Sequence, residues 1–134
     1  MTVELDAIVE RLAAEATGGE GVEAYAELTT ETSVSAYEGE VERLTSASSS
    51  GVGVRVVKDG RLGYAYTADL SDAGLRECLA EARANLEVSG EDPGNVLPEA
   101  SEHEPLEGIF DPRQAGTSPE RKVALALDLS LIHI

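Results

Sequence analysis

A histidine between two carboxylates, Glu102-His103-Glu104, is the part of this sequence that most invites a metal-binding reading. A zinc site needs several His, Cys or carboxylate ligands at spacings that let them converge on one ion. The positions a helical turn beyond His103 are Glu107 and Gly108, so no second histidine completes the pattern. His103 therefore reads as a surface loop residue, and the only other histidine, His133, lies in the last six residues. Cys78 is the single cysteine; it has no histidine near it in sequence and falls on an apolar stripe, which makes it a small core residue. Gly51-Val52-Gly53 lacks the third glycine and the following helix of a phosphate loop, so its glycines read as a close backbone approach or a bulge in a sheet. There is no Gly-x-Ser-x-Gly elbow, and Ser48-Ser49-Ser50, without a basic partner, reads as a flexible linker. Tyr25, Tyr37, Tyr64 and Tyr66 read as half-buried strand residues, not as a stacking platform for nucleic acid. Taken by themselves, these residues specify an acidic α/β domain without an active site.

The elements that must position them follow from periodicity. Over residues 3–16, Leu5, Ile8, Val9, Leu12, Ala13 and Ala16 recur as one buried helix face, with Thr2 as N-cap and Gly18-Gly19 as the stop. Val22–Thr29 and Ser33–Tyr37 are rich in β-formers and predict two strands, followed by a turn at Glu38-Gly39-Glu40. Val41–Ser50 is left open between a strand and a short irregular crossing. The clearest local signal is a hairpin over 51–67: Val52, Val54 and Val56 alternate on one side, Leu62, Tyr64 and Tyr66 on the other, with Asp59-Gly60 as the tight turn. A second helix over 71–87 has Ser71 as N-cap, Asp72 in the first turn and Leu75, Cys78, Leu79, Ala82 and Leu86 as its buried stripe. The Pro- and Gly-rich stretch 91–117 predicts an extended linker that packs only through Leu97, Leu106, Ile109 and Phe110. Ser118-Pro119-Glu120 then opens a third helix. The expected fold class is α/β of the α+β type, a mostly antiparallel sheet packed against two helices.

The length, 134 residues, suits one domain plus a tail, and 42% apolar residues suffice for a core. Ten basic residues against 26 acidic ones give a net charge of -16. Neutralising phosphates takes clustered Lys and Arg, so neither nucleic acid nor an anionic membrane is an expected partner. The charge reads as a solvated acidic surface. With no secretory signal, no apolar run of membrane-spanning length and one cysteine, a cytoplasmic location is expected. The final Leu129-Ser130-Leu131-Ile132-His133-Ile134 matches a translation of the mosaic-end adapter used in transposase-based sequencing libraries. On that basis 129–134 is expected to be an artefact and the natural sequence to be cut short near Asp128.

The order of several short stretches resembles a known family. They are Tyr25-Ala26-Glu27 through Ser33-Val34-Ser35, Glu38-Gly39-Glu40-Val41-Glu42, Gly51-Val52-Gly53-Val54-Arg55-Val56, Asp59-Gly60-Arg61-Leu62-Gly63-Tyr64-Ala65-Tyr66-Thr67 and Asp69-Leu70-Ser71. With Glu91-Asp92 and Leu97-Pro98 after them, they look like the N-terminal domain of the TldD/PmbA (TldE) metallopeptidases. The resemblance implies a domain over 1–90, the linker 91–117, and the start of a central region at 118–128.

What the resemblance implies for function is a multi-domain cytoplasmic metallopeptidase that processes or degrades unstructured peptides. In its TldD branch an HExxxH motif on a later helix binds zinc, and the PmbA branch is the partner subunit that lacks this motif; the style of the hairpin fits PmbA somewhat better. The older label "modulator of DNA gyrase" also attaches to the family. No catalytic or metal-binding residue carries over to this chain, so it is expected to be inactive by itself and to hold no cofactor, with zinc expected further downstream in a catalytic-branch protein. The positions of the family pattern that could line a cleft are Gly51, Gly53, Arg55, Asp59, Gly60, Arg61 and Gly63. The domain is expected to form a wall of the substrate chamber and part of a homodimer or TldD–TldE type heterodimer, its glycine-lined hairpin offering backbone to an extended peptide. The alternative is a stand-alone acidic protein-interaction module. A reading frame that continues past Asp128 into HExxxH favours the first reading, and a natural stop codon there favours the second.

Overall fold

The computed structural model of the chain describes residues 4–99, 101, 104, 106–109 and 111–132. The elements run α1 (Leu5–Ala14), β1 (Gly21–Tyr37), β2 (Glu40–Lys58), β3 (Arg61–Thr67), α2 (Asp72–Val88), α3 (Pro112–Ala115) and α4 (Pro119–Ser130). The strands form one antiparallel sheet in the order β1-β2-β3, and this is the α+β arrangement expected from the sequence.

Two tight turns set the sheet. Asp59 (φ 50°) and Gly60 (φ 72°) join β2 to β3, while Glu38 (φ 49°) and Gly39 (φ 80°) join β1 to β2. Positive φ at both central residues is the twist-matched hairpin geometry that Asp-Gly and its relatives favour. One sequence expectation is corrected here, and a reading left open is settled in favour of a strand. The two short strands over 22–37 are one continuous β1, and 41–50, including the serines taken for a linker, lies wholly within β2. All of residues 40–49 are exposed, so pairing across the Glu38-Gly39 turn, and not burial, holds them extended.

The chain divides into two units, residues 1–29 with 49–100, and 30–48 with 101–134. In the first, alternation along β2 buries Val52, Val54 and Val56 completely against Leu75, Leu79, Ala82 and Leu86 of α2 and Leu12 of α1. Cys78 belongs to this core, 2% exposed, and burial pushes its thiol pKa up, as suits an inert core sulfur. Helix α2 starts as predicted: the Ser71 hydroxyl accepts from the Gly74 amide at 3.2 Å. The N-cap of α1 is Glu4, which makes no side-chain capping bond; the expected cap, Thr2, lies outside the described residues.

An ion pair ties the connection before β1 to α2. Arg83 Nε donates to Glu20 Oε1 at 3.0 Å, and its Nη2 donates to the same carboxylate and to the Glu15 carbonyl at 2.8 Å. The Arg83 hydrogen bonds hold the Glu20 carboxyl below its ordinary range, against the opposing effect of burial. A depressed folded-state pKa means that the unfolded chain takes up the proton first, so this contribution is present at neutral pH and lost as pH falls through the folded-state value. Glu20→Gln is expected to cost about 1 kcal/mol at pH 7, discounted for the part-exposed guanidinium. Urea unfolding should show that gap closing below about pH 4; a gap independent of pH would refute the assignment.

In the second unit, α4 is capped by Ser118, whose hydroxyl accepts from the Arg121 amide at 3.3 Å, with Pro119 at the first position as predicted. Lys122, Val123, Ala126, Leu127 and Ser130 form its half-buried stripe, and Lys122 Nζ donates to Thr32 Oγ1 of β1 at 3.3 Å. The linker is not wholly extended: Asp111 caps the short α3. Leu97 packs at Gly21, but Leu106 and Ile109, expected as anchors, are 76% and 80% exposed. Phe110, His103 and His133 lie outside the described residues.

Candidate functional site

The sheet of the first unit has a second face. Strand alternation sends Gly51, Gly53 and Arg55 of β2 away from the core, with Tyr25 and Glu27 of β1 and Tyr64 and Tyr66 of β3 on the same side. The β2–β3 register pairs Gly53 with Tyr66 and Arg55 with Tyr64. Each tyrosine leans diagonally along its neighbour, so that the Tyr66 ring covers Gly51 and the Tyr64 ring covers Gly53. A Cβ placed on Gly51 would lie 2.2 Å from the Tyr66 hydroxyl, and one on Gly53 would lie 3.0 Å from that of Tyr64. The glycines are thus what lets the rings lie down on the backbone, an aromatic cover over glycine that also steadies the strands.

These groups enclose a cavity of about 290 Å³. Its walls are the rings of Tyr25, Tyr64 and Tyr66; its floor is Gly51 and Gly53, and Glu27 with Ser49 and Ser50 complete the rim. The rings are open to solvent, 67%, 51% and 59% exposed, so the half-buried tyrosines expected from sequence are corrected to a wet aromatic tray. Tyr25 Oη donates to Glu27 Oε2 at 3.1 Å, and Thr29 Oγ1 donates to Glu27 Oε1. The Thr29 bond first, then that of Tyr25, holds the Glu27 carboxyl below its usual range, and the same bond to Glu27 raises the Tyr25 phenol. At neutral pH the tray therefore has an anionic Glu27 at its rim, bonded by a neutral Tyr25 phenol.

The residues singled out from sequence divide among three places. Gly51 and Gly53 floor the tray, and Arg55 lies on the same face with its guanidinium bonded to Glu23. Asp59, Gly60 and Arg61 instead belong to the hairpin tip. The Gly60 carbonyl accepts from the Asp92 amide at 2.8 Å and from Asn95 Nδ2 at 2.9 Å, while Arg61 donates to Glu91 and to the Glu87 carbonyl. Gly63 sits on the opposite, core face beneath α2. Tyr25, Glu27, Tyr64 and Tyr66 were not in the sequence-derived set. The signal that could have found them is the pairing of small residues on β2 with large rings on β3 once the turn fixes the register.

Among the described residues no three His, Cys, Asp or Glu side chains are placed to hold a metal ion. None of their helices is long and apolar enough to cross a membrane. A second cavity, about 240 Å³, lies between α1 and α2 beside Arg11 and Asp72, which are already paired at 2.7 Å.

The model of a family described as PmbA/TldA metallopeptidase domain 1 matches residues 22–86. Among solved structures, the chain is similar to a Thermotoga maritima protein titled a modulator of a DNA gyrase, with 27% identity, TM-score 0.73, and 92% of this chain and 28% of that one covered. A Bacteroides thetaiotaomicron protein with a similar title shares the fold at 19% identity and TM-score 0.67, covering 93% of this chain and 30% of its own. TldE from Thermococcus kodakarensis aligns at 22% identity and TM-score 0.54, over 65% and 20%. The chain thus spans less than a third of each of these proteins. No curated protein matches it.

Proposed function

We propose that this chain, whose residues 22–86 belong to the first domain of the PmbA/TldD metallopeptidase family, is a substrate-handling and non-catalytic part of such an enzyme. The observation that carries this reading is the tray: three exposed tyrosines over a glycine floor on a sheet face free of α1 and α2. Tyrosine offers large contact area at low entropic cost, and the glycines let the rings lie along the strands as one shallow surface. An extended, unstructured peptide is the ligand that uses both. Zinc belongs to another part of the enzyme in this reading, and nothing in the role of residues 22–86 passes through a metal. The domain would line the substrate chamber of a homodimer or a TldD–TldE type heterodimer in the cytoplasm. Its net charge of -16 opposes direct contact with nucleic acid.

The chain contains no tryptophan, and three of its four tyrosines are in the tray, so tyrosine fluorescence reports on the site directly. Titration with an unstructured mixed-sequence peptide is expected to change that fluorescence, to shift amide resonances of residues 49–53 and 64–66, and to yield no cleavage products. Resonances that stay fixed up to millimolar peptide would overturn the proposal.

A further inference from the structure

We infer that the tray is a receptor for a basic side chain, so that the extended peptides it takes are those presenting a lysine or arginine to Glu27 between Tyr25, Tyr64 and Tyr66. This deepens the proposed peptide-handling role and rests on it. Size comes first. About 290 Å³ falls at or below the small end of small-molecule pockets, about 300–1,000 Å³, and suits a single long side chain. The electrostatics then select which one. Aromatic faces carry negative potential and attract ammonium and guanidinium groups. Glu27 is the charged group among the lining residues, and no lining residue is cationic. The cation on this sheet face, Arg55, is engaged by Glu23.

Glu27 is also prepared for the role. Two hydroxyls, from Tyr25 and Thr29, fix the orientation of its carboxylate, yet a carboxylate has about four acceptor positions and two remain for an incoming N–H. The same hydroxyls keep it ionised, so no proton need be lost on binding. An acidic side chain would meet like charge both at Glu27 and in the wider field of the chain. An uncharged aromatic side chain would use the rings and leave the two remaining acceptor positions of the carboxylate unused.

The test compares three synthetic peptides on the intact chain, identical except for one central residue: lysine, Nε-acetyl-lysine or glutamate. Acetylation keeps the length of the side chain and removes its charge. The lysine peptide is expected to bind about fivefold more tightly than its acetylated form, the glutamate peptide to bind weakest, and the lysine advantage to shrink as salt is raised. Glu27→Gln, at an exposed position, is expected to abolish the difference between lysine and acetyl-lysine. Equal binding of lysine and acetyl-lysine peptides by the wild-type chain, with the tray resonances shifting, would overturn this inference and leave the peptide-handling role standing. No binding of any of the three would overturn both.

Discussion

Gly63→Ala is expected to destabilise the domain by about 3 kcal/mol or more, with most of the chain unfolding at a markedly lower urea midpoint. The reason is backbone against backbone. A Cβ on Gly63 would stand 1.9 Å from the Ala82 carbonyl oxygen and 2.4 Å from the Leu86 nitrogen. Neither group is the far end of a side chain that can swing aside. Ala82, fully buried, and Asn85, whose Nδ2 donates to the Tyr64 carbonyl at 2.9 Å, fix the same turn of α2 on β3. Relief would therefore require the helix to lift from the strand and loosen the contacts of Leu79 and Leu86. Small domains have only about 5–15 kcal/mol of net stability, so the loss is a large fraction of the whole. Gly90→Ala is the control: nothing lies within 4 Å of its added Cβ, and its midpoint should stay near that of the wild type. Coincident midpoints for the two variants would show that β3 and α2 are not in such close approach.

Gly51→Ala should do the opposite, leaving the fold and weakening the proposed peptide binding. Here the added Cβ meets the tip of the Tyr66 ring, 2.2 Å from its hydroxyl. That ring ends a flexible, exposed side chain and can rotate into solvent. The stability cost is expected to stay within about 1 kcal/mol, partly offset by alanine's lower backbone entropy in the unfolded state. The tray, however, loses one wall and part of its floor. Binding of the lysine peptide is expected to fall about tenfold, equivalent to about 1.4 kcal/mol, with an unfolding midpoint much closer to the wild type's than that of Gly63→Ala. Full affinity in Gly51→Ala would mean that the ligand does not use the Tyr66 ring as it is packed on β2.

The contrast between these two glycines also marks what could be read from the residue string. Both belong to the same family pattern, and both were assigned to a cleft. Parity separates them: Gly63 shares its side of β3 with buried Ala65, whereas Gly51 shares its side of β2 with Gly53 and Arg55. The hairpin, the capped helix α2 and the start of α4 were legible because each depends on near neighbours in sequence, Asp59-Gly60, Ser71 and Ser118-Pro119. The long β1 and β2 were not. Glu42, Arg43 and Ser46 to Ser49 show no apolar alternation, and what extends them is hydrogen bonding to a partner strand. The tray was missed because it is a relation between strands: Tyr66 over Gly51 and Tyr64 over Gly53 exist only once the register is known. Asp111 and α3 were hidden by the proline and glycine around them, which read as extended chain.

The doubly bonded carbonyl of Gly60 has a consequence for the order in which the chain acquires its structure. Strands β2 and β3 and helix α2 are consecutive, so the hairpin and the helix that covers it can condense early through short loops. The tip oxygen has to wait for Asp92 and Asn95, which leave the ribosome last among these partners. Their arrival closes the segment like a latch. Amide exchange in a chain ending at Gly90 should accordingly be fast at the tip while the valine strand beneath α2 stays protected.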